Sequence, residues 1–146
     1  MGELLGQSEA DFTVLDSEAS VEHLSRGTIR HVDLVLILAE PYYRSLETAA
    51  RLGELARELG IPLVYGVANK VRTDREAELI AQFCRGRNLP LLAVLPFDEA
   101  VGQAELEGRP VFGVRPDSAL AGAVAELASR VVELRPKVGV RHDVHR

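Results

Sequence analysis

FTVLDSEASVEHLSRGT, residues 12–28, and the IRHVDLVLILAEP that follows it, residues 29–41, decide how the chain folds. In the first stretch the apolar Phe12, Val14 and Leu15 lead to Asp16, and a polar, glycine-containing segment follows at once. This pattern predicts a short buried strand that delivers a carboxylate to the edge of a sheet. In the second, Val32 to Ala39 is a near-continuous aliphatic run closed by Pro41. Strands read this way when helices cover both faces of a parallel sheet.

Working outward, helix and strand signals alternate. Leu46, Ala49, Leu52, Leu55, Ala56 and Leu59 recur at spacings of three and four, which predicts a helix opened by Ser45 and stopped by Gly60 and Pro62. Leu63 to Ala68 is the next strand, ending in Asn69-Lys70. Thr73 and Glu76 have capping-box spacing, and the helix they start carries Ala77, Ile80, Ala81 and Cys84 on its inner face. Leu91 to Leu95 is a fourth strand, stopped by Pro96. Asp98 can cap a short helix to Glu107, Val111 to Val114 reads as a minor extended piece, and a last helix starts near Asp117 and Ser118. Residues 1–10 read as a leader and residues 135–146 as a loose tail.

The expected architecture is α/β, a single domain with its core at residues 11–134: a parallel sheet of about four main strands, right-handed crossovers and helices on both faces. Ligands of such sheets sit beyond the carboxyl ends of the strands, where Asp16, Glu40, Asn69 and Asp98 fall.

Composition narrows the function classes. A chain of 146 residues with 47% hydrophobic content can bury one core. A net charge of −5 repels polyanions, so no nucleic-acid partner is expected. The single cysteine, Cys84, rules out an internal disulfide and any multi-cysteine metal site within one chain, and it fits a reducing compartment. No apolar run approaches the roughly 20 residues of a membrane span, and no basic residue precedes an apolar segment at the start. A cytoplasmic protein with no membrane partner is expected.

Ala19, Glu22, His23, Arg26, Gly27 and Thr28, spaced as they are after Asp16, together with VDLVLILAEP, NKV and PFD further on, resemble the second half of the MinD/ParA-like phosphate-loop ATPases. Within that family the pattern looks most similar to the ATPases that assist nickel insertion into carbon monoxide dehydrogenase. The resemblance implies that Asp16 orders the water shell of Mg²⁺ on ATP or ADP and that residues 16–20 respond to the terminal phosphate. It further implies that Asn69, with Lys70 beside it, reads the adenine edge, and that Pro96, Phe97 and Asp98 close over the base.

Three departures stand against it. The phosphate loop G-x-x-x-x-G-K-[ST] is absent, as is a Cys-x-Cys pair for metal, and Ser20 stands where glycine is usual. The grip on a triphosphate comes mainly from that loop and its lysine, so hydrolysis by this chain alone is not expected. The missing loop strand would also leave a slot in the sheet, which implies a homo-oligomer or a partner chain bearing the phosphate loop.

Three readings follow: a non-catalytic interaction or oligomerisation module, which the resemblance links to metalloenzyme maturation; the second half of a split ATPase; or a residual adenine-nucleotide-binding module. The start at Met1 ahead of a plausible helix and strand suits the first.

Plainer readings accompany each residue. Asp16 suits a turn cap and Asn69 a turn. Glu22 and His23 suit a local polar contact, and His142 and His145 a frayed tail. Cys84 suits a core position, and Tyr42 and Tyr43 a cover over the sheet end.

Overall fold

The computed structural model describes residues 12–17 and 32–135. The leader, the segment carrying Ser20, Glu22 and His23, and the tail with His142 and His145 lie outside the described residues. The chain divides into two compact units, Met1–Asp98 and Glu99–Arg146.

In the first unit the order is β1 (Leu34–Ala39), α1 (Tyr43–Glu58), β2 (Leu63–Val71), α2 (Asp74–Gly86) and β3 (Leu91–Pro96). The strands form one parallel sheet in the order β1-β2-β3. Two successive right-handed crossovers between neighbouring strands place both helices on the same face. A single core results, in which Ile37 and Ala39 of β1, Ala49 and Leu52 of α1, Ala68 and Val71 of β2, and Ile80 and Cys84 of α2 are buried together with Leu89.

Small residues let α1 approach the sheet closely: Ala49, Ala50, Gly53 and Ala56 are all buried. A Cβ at Gly53 would lie 3.3 Å from Leu89 Cδ1, and one at Gly66 only 3.0 Å from Leu91 Cδ2. The helix stops where expected, with Gly60 at φ 78° in the left-handed region. Its start differs. Tyr42 holds the cap position without a side-chain cap, and Ser45 Oγ instead accepts from the Glu40 N–H at 2.9 Å. At α2 the expected cap forms, with Thr73 Oγ1 accepting from the Glu76 N–H at 3.1 Å.

Two strand expectations change. The predicted strand at Phe12–Asp16 does not form: residues 12–17 are exposed, Val14 to 89%, and belong to no strand of the three-stranded sheet. An apolar run becomes a buried strand only where a neighbouring ladder receives it, and among the described residues β1 is bonded only to β2. The aliphatic run of β1 is likewise not buried on both faces. Ile37 and Ala39 face the core, whereas Leu38 is 53% exposed.

Among its described residues the second unit holds three helices, α3 (Ala100–Leu106), α4 (Val111–Val114) and α5 (Ala119–Glu133). Val111–Val114 is thus one helical turn, not an extended piece, stabilised by the Arg115 N–H donating to the Val111 carbonyl at 2.8 Å. The cap position of α3 falls on Glu99, which makes no side-chain capping bond. Gly108, at φ 62°, follows α3, and Ser118 Oγ caps α5 by accepting from the Ala121 N–H at 3.1 Å. No helix of the described residues is long and apolar enough to cross a membrane.

Removing the Ile80 side chain from this core should cost about 2–4 kcal/mol in Ile80→Ala, whereas Leu38→Ser should stay within about 0.5 kcal/mol of the parent, both read from urea unfolding. Burial pushes the Cys84 thiol up from 9.0. The unfolded chain therefore ionises this thiol at lower pH than the folded one, and the resulting support for the fold is complete below about pH 9 and lost as pH rises through the raised value. Cys84→Ala should accordingly flatten the fall of the urea midpoint above about pH 9.

Candidate functional site

The register of β2 with its two neighbours builds the carboxyl edge of the sheet. β1 pairs with β2 from Leu34↔Leu63 to Ala39↔Ala68, so Glu40 leaves β1 level with Asn69. Against β3 the ladder runs Ala68↔Val94 and then Val71↔Pro96, three steps on β2 against two on β3. The extra residue makes a bulge at Asn69-Lys70, and Lys70 takes φ 55°.

A lysine in that region costs about 1–3 kcal/mol. Lys70 Nζ lies 2.7 Å from Glu40 Oε1, with the two side chains 56% and 30% exposed. An ion pair that open to solvent contributes roughly 0.2–1 kcal/mol, too little to offset the strain alone. The ladders flanking the bulge supply the rest. On the β3 side the Phe97 N–H donates to the Val71 carbonyl at 2.9 Å and closes the edge.

Beyond the bulge, the chain is held by the start of α2. The Arg72 N–H donates to Glu76 Oε2 at 2.7 Å while the Glu76 N–H donates to Thr73 Oγ1. Arg72 then lays its guanidinium over the Phe97 ring, 3.9 Å from the centroid, a contact worth about 0.5–1 kcal/mol at an exposed position. β1 is tied at its own end, since the Tyr42 N–H donates to the Glu40 carbonyl at 2.8 Å.

Of the six residues singled out for nucleotide, Asn69 and Lys70 sit on the bulge, and Pro96, Phe97 and Asp98 follow from the adjacent strand end. Asn69, Pro96 and Asp98 are half-buried, and Lys70 and Phe97 are exposed. Asp16 lies on an exposed segment that belongs to no strand of the sheet. Tyr42 and Tyr43 are 54% and 72% exposed, so they form no cover.

Sequence reasoning passed over Arg72. Its signal was the capping pair immediately after it, which fixes its backbone and so limits where the guanidinium can go. Chemically the edge offers an amide that both donates and accepts, a carboxylate, and an aromatic ring with a cation stacked on it. This set suits a flat polar ring and offers little grip on phosphate. Among the described residues no three His, Cys, Asp or Glu side chains cluster as a metal site.

Residues 32–144 match the family model of the 4Fe-4S iron sulfur cluster binding proteins of the NifH/frxC family. An ATP-binding protein of Methanocaldococcus jannaschii is 34% identical over 124 residues, covering 84% of this chain and 49% of that protein. The carbon monoxide dehydrogenase accessory protein CooC of Rhodospirillum rubrum is 40% identical over 103 residues, 70% of this chain and 38% of CooC. Among solved structures, the septum site-determining protein MinD of Pyrococcus horikoshii, complexed with Mg-ADP, superimposes with a TM-score of 0.59 at 26% identity, over 70% of this chain and 42% of that one.

The chain therefore spans about half or less of the length of these relatives. The iron-sulfur cluster in the family description does not fit these residues. Such a cluster is held by four thiolates, and the one cysteine here is 1% exposed within the core, its thiol disfavoured from ionising by burial. On the matched residues, the parallel α/β sheet and the likeness to MinD and CooC, the chain belongs to the NifH/frxC family within the MinD/ParA-like phosphate-loop ATPases.

Proposed function

We propose that this chain is the base-reading, carboxyl-terminal half of a MinD/ParA-like ATPase, and that it acts by completing its sheet with a segment that carries the phosphate loop. One observation carries the reading: Phe12–Ser17 stands exposed outside the sheet, and β1 is bonded only to β2 among the described residues. In the family topology that the sequence resembles, the phosphate-loop strand lies between these two segments. Among the described residues no ladder joins these two segments, which supports a slot for that strand.

In the assembled site Asn69 reads the adenine edge, Lys70 flanks it, Pro96, Phe97 and Asp98 close over the base, and Asp16 orders water on Mg²⁺. The missing phosphate loop would supply the grip on the β- and γ-phosphates. Bound ATP or ADP with Mg²⁺ is then shared between the two segments, and this chain alone performs no hydrolysis. The assembly works in a reducing cytoplasm in the maturation of a nickel enzyme, a setting that the likeness to CooC supports.

A second reading is a non-catalytic module that uses the same open edge for a homo-oligomer. The absence of any phosphate loop in the 146 residues favours it. Mixing decides between the two. The purified chain should bind Mg-ATP only weakly, and adding a polypeptide made of the phosphate-loop half of CooC should yield a 1:1 complex in sedimentation and phosphate release. Asn69→Ala should weaken nucleotide binding to that complex about tenfold, since one or two hydrogen bonds at roughly 1 kcal/mol each are lost. A chain that self-associates and ignores the added half, with no phosphate released, would establish the module instead.

A further inference from the structure

Asn69 sits on backbone that has to be held, and the inference drawn from this rests on the base-reading role proposed above. The residue after it, Lys70, is at φ 55°, where the register between β2 and β3 slips from Ala68 to Val71. A side chain with a Cβ is crowded in that region, so lysine tends to leave it. Were Lys70 to leave, the peptide plane joining it to Asn69 would rotate. Asn69 would then turn relative to the Pro96–Asp98 exit, on which any shared contact with a base depends.

Glu40 is placed to prevent this. Its carboxylate holds Lys70 Nζ at 2.7 Å. Its own backbone is fixed twice, through its N–H to Ser45 Oγ at 2.9 Å and through its carbonyl to the Tyr42 N–H at 2.8 Å. The anchor thus comes from the end of β1 and the start of α1, and it crosses to β2 beyond the last ladder pair, Ala39↔Ala68.

We propose that Glu40 is a positioning residue for base recognition: through Lys70 it keeps the left-handed turn that aims Asn69. Glu40 need not touch the nucleotide. It also ties the aim of Asn69 to β1, the strand whose outer edge takes the phosphate-loop segment in the proposed assembly.

Glycine makes the idea testable, because it adopts positive φ without steric cost. The experiment compares the parent chain, Glu40→Gln, Lys70→Gly and the double variant, each assembled with the CooC phosphate-loop half. Two quantities are read: affinity for Mg-ADP and for tripolyphosphate, and amide exchange across residues 66–73. Glu40→Gln should weaken Mg-ADP several-fold, leave tripolyphosphate within twofold, and speed exchange at Asn69 to Val71. In the Lys70→Gly background the same substitution should have no further effect on either.

Unchanged Mg-ADP affinity in Glu40→Gln would overturn the proposal, as would an equal loss for tripolyphosphate or a loss that persists in full beside glycine. Asn69→Ala serves as the separate control. If it binds Mg-ADP as the parent does while Glu40→Gln still speeds exchange at residues 69–71, the base-reading role fails and the mechanical role of Glu40 stands.

Discussion

A parallel strand bonded along both edges is the constraint from which the rest of the first unit follows. β2 is that strand, and its two registers are not the same. With β1 it runs without a slip, which fixes the lengths of β1 and of the turn into α1. With β3 it slips twice, between Gly66 and Val67 and again between Ala68 and Val71, and the second slip carries a lysine in a conformation that lysine avoids. The polar edge lies at the second of these slips, where the extra residue on β2 puts Asn69-Lys70 on a bulge.

The core answers to the same strand. Two crossovers of the same hand lay α1 and α2 on one face, where alanines and Gly53 let α1 sit close to the sheet. On this face Ile37, Ala39, Ala68 and Ile80 are nearly or fully buried; on the opposite face Val67 of β2 is buried too, whereas Leu38 of β1 remains half in water. A strand that is bonded on one side among the described residues and has a half-exposed Leu38 is suited to receive more structure, and edges of this kind are what proteins usually cover.

At the edge itself, magnitudes separate what holds from what is held. The solvent-exposed Glu40–Lys70 pair is weaker than the strain beside it, so the bulge depends on the ladders around it, and the pair only biases which conformation the bulge keeps. Arg72 on Phe97 is a similarly modest contact between two elements that a hydrogen bond has already joined. An edge built this way is ordered and still adjustable by whatever binds there.

The helical period of α1 and α2, the glycine stop at Gly60, the Thr73 cap and the strands from Leu34, Leu63 and Leu91 were all legible in the sequence, because each is set by side chains close in the chain. The position of Asn69, Lys70, Pro96, Phe97 and Asp98 at the carboxyl end of the strands was legible as well, since a parallel sheet sends its carboxyl ends to one side whatever their order. Other features depended on distant partners. The apolar run at Phe12 has the pattern of a strand but joins none of the three described strands, and Val111–Val114 has β-branched ends but closes a helical turn.

The pairing of Lys70 with Glu40, thirty positions apart, and the stacking of Arg72 on Phe97 arise only when β1, β2 and β3 lie side by side. Local chemistry by itself determined which segments are helix or strand and which family they resemble. The tertiary structure alone decided which apolar faces are buried, where the register slips and which charges meet, because those depend on hydrogen bonds and contacts between segments that no short stretch of chain contains.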